Sequence, residues 1–291
     1  LGANLIDPAV IARLMRAQLQ ARLPMSGNMS GRHKSPHRGS SVEFAQYRKY
    51  VAGDDIRLLD WRVYARTDRF YLKEFEADTN LRAYFVLDCS ASMGFGGKLD
   101  FCRRMIATLA YLLVQQGDAV GLSCFAEGVV SETPARRNAA HLGNLFDGLK
   151  AVSPKGKTGL VSALHSLAEK APQRSLVLVF SDCFTSVESL LPCFQHLRFR
   201  KHDLAVFHVL DRAELEFQFS RPTRFIDMES PFALLAEPET IRRRYFEELN
   251  RFLARLKTGC REFKTEYRQV VTDESYEKIL ADFLIRRAMK N

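Results

Sequence analysis

From residue 81 onward the chain alternates short apolar runs with stretches of helical periodicity, and that alternation decides the fold class. Ala83–Leu87, Ala119–Phe125, Leu176–Phe180 and Leu204–Leu210 are runs of the length and β-branched or aromatic content of buried strands. Between and beyond them lie helical patterns at Lys98–Gln116 (Ile106, Leu109 and Leu113 on one face), His141–Leu149, Leu160–Glu169 and around Val187–Leu197. Gly128–Ser131 reads as a short further strand, Tyr267–Val271 as the last strand and Tyr276–Ala288 as the last helix. Ile241, Tyr245, Leu249, Phe252 and Leu256 form one apolar stripe, so Ile241–Leu256 reads as an amphipathic helix, with Gly259 as its stop. Strands that alternate with helices predict a doubly wound, mostly parallel six-stranded sheet covered on both faces.

The first 80 residues have a different texture. Asp7-Pro8 predicts a helix start, with Ile11, Leu14, Leu19 and Leu23 at helical spacing until Pro24. Residues 25–41 read as a polar, Gly/Ser-rich loop, and residues 42–80 as short strands such as Phe70–Phe75, with a turn at Gly53-Asp54-Asp55. The expected organisation is an N-terminal helix, basic loop and β-rich extension over residues 1–80, packed on a body over residues 81–291. An irregular insertion with one or two strands falls at about 211–237.

The chemistry gathers at strand ends. Asp88 closes the first body strand in Asp88-Cys89-Ser90-Ala91-Ser92, and Asp182 closes another in Val179-Phe180-Ser181-Asp182. Between them Gly156-Lys157-Thr158-Gly159-Leu160 is a loop entering a helix. In a doubly wound sheet, ligands bind beyond the carboxyl ends of the strands where the strand order reverses. Asp88, Ser90, Ser92, Thr158 and Asp182 therefore converge as oxygen ligands, which suit a hard cation: Mg²⁺, or Mn²⁺ or Ca²⁺ in its place. Two carboxylates roughly neutralise such an ion. An open coordination position would accept an acidic side chain from a partner. Strand-end placement predicts that Asp88 faces solvent.

D-x-S-x-S, a later Thr in a Gly-containing loop and a later Asp after an apolar strand resemble the metal-ion-dependent adhesion site of von Willebrand factor A (vWA) domains, and every position of that pattern is matched. Further motifs narrow the resemblance: Gly31-Arg32-His33-Lys34-Ser35, Gly39-Ser40-Ser41-Val42-Glu43-Phe44, Tyr47-Arg48, Gly53-Asp54-Asp55-Ile56-Arg57, Asp60-Trp61, Ala65-Arg66-Thr67-Asp68 and Lys73-Glu74-Phe75-Glu76. With Val209-Leu210-Asp211 they are similar to bacterial vWA proteins grouped as domain of unknown function 58. That resemblance implies a vWA fold, association with a MoxR-type AAA+ ATPase, and an adaptor role in assembling or activating protein complexes. The physics of the site favours binding over catalysis, so no enzymatic activity of the chain's own is expected.

Composition bounds the rest. The 291 residues are 46% hydrophobic and 26% charged, as in ordinary globular proteins. No apolar run approaches the roughly 18 residues needed to span a bilayer, and the residues present contain no charged-then-apolar leader. Cys89, Cys102, Cys124, Cys183, Cys193 and Cys260 form no C-x-x-C pair and lie in or beside apolar runs, which predicts reduced, buried thiols and a cytoplasmic protein. Of the formal net charge of +9, residues 1–50 hold +6, from Arg13, Arg16, Arg22, Arg32, Lys34, Arg38, Arg48 and Lys49 against Asp7 and Glu43. This segment is either a solvated basic face or a contact for an acidic partner.

Enzyme motifs are incomplete. A dehalogenase-type phosphatase needs a second Asp two positions after Asp88, where Ser90 stands. Cysteine-phosphatase chemistry needs an Arg six residues after the Cys, where Cys89 and Cys183 have Phe95 and Ser189. Gly94-Phe95-Gly96-Gly97-Lys98 resembles a phosphate loop but has Ser92 and Leu99 where that motif needs Gly and Ser/Thr. His33 and His37 flank Pro36 and read as loop residues rather than metal ligands. Metal-dependent hydrolysis and nucleic-acid binding, the latter through the basic segment with Arg242, Arg243 and Arg244, are the alternatives to an adaptor. Asp54, Asp55, Asp60, Trp61, Arg66 and Asp68 form a second cluster. It reads either as a docking surface or as ion pairs and a Trp anchor pinning the extension to the body.

Overall fold

The computed structural model describes residues 5–15, 30–34, 43–50, 59–76, 78–79 and 81–289. The chain divides into two compact units, Leu1–Leu23 with Arg82–Asn291, and Pro24–Leu81. Helix α1 (Pro8–Leu14) belongs to the larger unit. The Asp7 carboxylate accepts the Ala9 amide at 2.8 Å, Pro8 occupies the first turn, and Val10, Ile11 and Leu14 are buried. The expected run of this helix on to Pro24 lies outside the described residues, as does the Gly53-Asp54-Asp55 turn.

The smaller unit contains β1 (Ser30–Lys34), β2 (Glu43–Lys49), α2 (Trp61–Thr67), β3 (Tyr71–Glu76) and β4 (Asp78–Thr79). β2 pairs with β3 and β1 with β4, both antiparallel. β1 lies within the segment read from sequence as loop: its pairing with β4 recruits a polar stretch whose own propensity for extended structure is weak. Asp60 caps α2 by accepting the amides of Arg62 and Val63. Tyr64 stacks on Phe70 with centroids 4.4 Å apart. Trp61 is 59% exposed and meets Tyr64 edge-on. Asp54 and Asp55 lie outside the described residues, as does His37.

The larger unit has the expected doubly wound architecture. Its elements are β5 (Arg82–Asp88), a 3₁₀ segment (Ala91–Gly97), α3 (Lys98–Gln115), β6 (Ala119–Phe125), β7 (Val129–Arg136), α4 (Ala139–Ala151), α5 (Leu160–Lys170), β8 (Leu176–Ser181), α6 (Val187–Phe199) and β9 (Asp203–Leu210). There follow α7 (Arg212–Glu216), a hairpin of β10 (Thr223–Ile226) and β11 (Ala233–Ala236), α8 (Pro238–Glu262), β12 (Glu266–Val271) and α9 (Tyr276–Met289). The six-stranded sheet runs β12-β9-β8-β5-β6-β7, parallel throughout except for β7. The chain builds outward from β5 through β6 to β7, then crosses back to β8. The order thus reverses beside β5, and the β5/β8 boundary is the switch point.

Two elements differ in extent from their sequence reading. β7 runs to Arg136 and bonds antiparallel to β6, with register shifts at both ends of the pairing. Its alternating half-burial and Pro134 hide it from an apolar-run criterion, because an edge strand needs only one apolar face. α8 continues through Gly259 to Glu262 rather than stopping there. A Cβ at Gly259 would stand 2.2 Å from Leu191 Cδ2, so this glycine lets α8 lie close on α6. Gly259 therefore marks a close helix approach and not a C-cap.

One face of the sheet is covered by α5, α6 and α8, whose Leu164, Leu190, Phe194 and Leu256 pack with Val86, Val179 and Val206. On the other, α3 touches β5, β6 and β9 and packs against α1, α4 and α9. An aromatic row crosses the sheet there. Phe180 stacks on its register neighbour Phe207 at 4.7 Å, and Phe207 meets Phe283 of α9 edge-on at 5.1 Å. All three rings are fully buried. Phe207→Ala is expected to cost about 3–5 kcal/mol in urea unfolding, the range for a buried phenylalanine cavity. A loss below about 1 kcal/mol would show that the row is not the packing centre of that face.

Candidate functional site

Asp88 ends β5 and Asp182 follows the last residue of β8, so both stand at the carboxyl end of the switch point. Backbone bonds stitch the surrounding loops together. Cys89 N–H donates to Phe125 O (2.7 Å), Ala91 N–H to Gly156 O (2.9 Å), and Lys155 N–H to Cys89 O (2.9 Å). The loop before α5 is thereby tied to the loop after β5. Gly159 lets the same loop lie close on the turn after β6, because a Cβ there would stand 2.3 Å from the Ala126 carbonyl oxygen.

Four of the five residues read from sequence form one hydrogen-bonded group. Asp88 Oδ2 accepts the Thr158 hydroxyl at 2.9 Å, and Asp88 Oδ1 accepts the Ser90 amide at 2.9 Å. Ser90 Oγ and Ser92 Oγ are 3.1 Å apart. Asp88 and Ser90 are buried at the floor, with Ser92 and Thr158 half-buried at the mouth. Ser181, which sequence reasoning passed over, donates its hydroxyl to Asp88 Oδ2 at 2.7 Å. The expected solvent-facing Asp88 is thus corrected: it is fully buried, because neighbouring loops close over the strand end. Burial, and then repulsion from Asp182, raise its pKa to about 6 despite the stabilising hydrogen bonds.

The fifth residue, Asp182, is occupied by the protein itself. Its Oδ2 accepts the Lys98 ammonium at 2.8 Å, and its Oδ1 accepts the Phe184 amide at 3.3 Å. Lys98 Nζ also donates to Glu214 Oε1 at 2.8 Å. Burial opposes the Lys98 charge, but Asp182 and Glu214 outweigh it and leave the lysine pKa raised. Burial likewise raises Glu214, against the attraction of Lys98. Glu214 is held in a capping box with Asp211 at the start of α7. Sequence reading gave the centre two aspartates as its only charged groups, and met Lys98 as the start of the Lys98–Gln116 helical pattern and the end of a failed phosphate loop. The signal available was an α3 starting at a lysine, directly behind the strand-end loop.

His208 completes the floor. Burial lowers its pKa to about 4, so the ring is neutral. It lies 2.8 Å through Nε2 from the Asp182 carbonyl, which only accepts, so Nε2 carries the proton. Nδ1 then accepts the Tyr267 hydroxyl at 2.7 Å. Among the described residues no group of three or more His, Cys, Asp or Glu side chains is gathered as a metal cage, and the centre depends on hydroxyl oxygens. All six cysteines are free and buried. Burial pushes the Cys183 thiol well up, which disfavours its thiolate. Of the arginines considered for nucleic acid, Arg242 donates to Phe219 O at 2.8 Å and Arg243 pairs with Glu247.

A doubly wound α/β domain with a carboxylate–hydroxyl centre at its switch point is the class of molecule these elements define. The chain belongs to the family described as protein of unknown function DUF58, whose pattern matches residues 46–252. It is 26% identical over 223 residues to an uncharacterized protein of Mycobacterium tuberculosis strain H37Rv, covering 74% of this chain and 70% of that one. The same figures hold for an uncharacterized protein of Mycobacterium bovis. Similar solved structures include the conserved hypothetical protein BatB from Bacteroides thetaiotaomicron (TM-score 0.44, 16% identity, 72% of this chain and 100% of that one). Another is the SpRpn10 VWA domain (TM-score 0.41, 11% identity, 70% and 95%). Among the described residues, no helix is long and apolar enough to cross a membrane.

Lys98→Met keeps the bulk of the stem and removes the ammonium, leaving Asp182 and Glu214 facing each other under burial. The expected loss is about 3–5 kcal/mol in denaturant unfolding, as for other broken buried ion pairs. A loss below about 1 kcal/mol would mean that the two carboxylates find other partners or take up protons at little cost.

Proposed function

We propose that the chain is a non-enzymatic, Mg²⁺-dependent protein-recognition adaptor that works with an AAA+ ATPase of MoxR type to assemble or activate other proteins. The observation that carries the reading is the hydroxyl–carboxylate group of Asp88, Ser90, Ser92 and Thr158 at the switch point, beside Asp182. The Thr158 hydroxyl gives its proton to Asp88 and so keeps oxygen lone pairs for a cation. Ser90 and Ser92 place two more hydroxyl oxygens side by side. Asp88 supplies charge from the buried floor. Asp182, with both oxygens already accepting hydrogen bonds, contributes charge more than a free lone pair. Oxygen donors of this kind fit Mg²⁺. Bound there, the cation would supply a point of positive charge able to hold a carboxylate.

Recognition, rather than turnover, is supported by what surrounds the centre. The neutral His208 ring is committed at both nitrogens, and the Lys98 ammonium at two carboxylates. Neither is placed to shuttle a proton to a substrate. The exposed apolar side chains of Phe95, Phe184 and Met228 come from the loops and hairpin next to the centre, a setting suited to a protein partner. The AAA+ partnership and a cytoplasmic setting rest on the family resemblance and the reduced cysteines.

The test uses Asp88→Asn, because Asp88→Ala would leave the Thr158 and Ser181 hydroxyls and the Ser90 amide without a buried acceptor. Calorimetric titration of MgCl₂ is expected to give saturable binding to the wild type and none to Asp88→Asn, with both proteins melting cooperatively. Affinity purification from lysate is expected to retain an AAA+ ATPase in Mg²⁺ and to lose it in EDTA. Equal Mg²⁺ affinity in the two proteins would eliminate the site. Equal retention with and without EDTA would separate partner binding from the metal.

A further inference from the structure

The β10–β11 hairpin brings a further carboxylate to the Thr158 loop of the centre. Glu229 Oε2 accepts the backbone amide of Thr158 at 3.1 Å. Its other oxygen, Oε1, is buried and has no hydrogen-bond partner. A buried carboxylate oxygen without a donor is costly, and a cation is the counterpart that such an atom fits. The side chain is aimed by its own loop. Asp227 accepts the Glu229 amide at 2.9 Å and the Ser230 hydroxyl at 2.5 Å, while Asp227 N–H donates to Phe232 O at 2.9 Å and closes the hairpin. Met228, the preceding residue, reaches across Gly94, with its Cε 3.7 Å from where a Cβ on that glycine would stand. The hairpin tip thus rests on both loops that supply the hydroxyls, the one after β5 and the one before α5.

The geometry points to Glu229 as the chain's own acidic ligand at this centre, seated at the mouth where an incoming acidic side chain would meet the cation. The inference rests on the metal reading above and deepens it. Glu229 adds a negative charge to a centre in which Lys98 offsets part of the charge of Asp182 and Glu214. It also makes the hairpin a resident occupant that a partner's carboxylate must displace. Partner affinity is then lowered by the fraction of molecules in which Glu229 holds the position.

The experiment is calorimetric titration of MgCl₂ into wild type, Glu229→Gln and Glu229→Ala, each checked by thermal melt, followed by acetate titrated into the Mg²⁺-saturated proteins as a carboxylate probe. Both variants are expected to lose Mg²⁺ affinity on the order of tenfold or more, as when a supporting group of a metal site is removed. Acetate is expected to bind Mg²⁺-loaded Glu229→Ala and not the wild type. Equal Mg²⁺ affinity in all three proteins, or acetate binding equally well to the wild type, would overturn the assignment of Glu229 and leave the metal reading standing. Absence of Mg²⁺ binding by the wild type would overturn both.

Discussion

Lys98, a lysine shut away from solvent, holds the centre of the larger unit together. Its ammonium joins the residue after β8, Asp182, to Glu214 at the start of α7, and it stands itself at the first position of α3. Removing three charged groups from water is strongly unfavourable, and their mutual attraction offsets that cost only while the geometry is kept. The positions of α3, the β8 end and α7 are therefore not independent. The loop after β5 is caught between them, because it leaves the strand at Asp88 and re-enters the fold at Lys98. The hydroxyls of Ser90 and Ser92 inherit their placement from that closure.

The same charge arrangement is the physical ground for proposing binding rather than chemistry at this centre. A catalytic acid or base must be able to change its protonation while the reaction runs. Here Lys98 is committed to two carboxylates, and His208 has one nitrogen giving a proton to a carbonyl and the other taking one from Tyr267. What stays available at the mouth is a set of neutral hydroxyls over the buried Asp88 carboxylate, with the Glu229 carboxylate beside Thr158. Such a set can orient around an ion and hold it without itself reacting.

Much of this was legible in the sequence, and the portions that were not share a physical reason. Buried parallel strands such as Ala119–Phe125 are apolar on both faces and announce themselves by composition. Asp88 and Asp182 are legible because a carboxylate directly after such a run has to sit at the strand's carboxyl end. Lys98 was not, because a lysine behind glycines is read as a phosphate binder, and its partner Glu214 lies 116 residues along the chain. Gly259 was misread as a helix stop, because the same residue serves close packing and chain reversal, and only Leu191 opposite it decides which. Glu229 could be found only once the hairpin was seen to fold back on Thr158.

The antiparallel edge strand β7 carries a consequence for how this molecule can be joined to others. Its outer margin is one of two places where the six-stranded sheet could be lengthened by a strand from another chain. Pro134 brings no backbone donor to the strand, and the register shifts against β6 bend it away from a flat template. Glu132 and Arg136 place charge along it. A foreign strand laid there would meet an interrupted ladder. At this margin the strand is a poor template for sheet-to-sheet polymerisation.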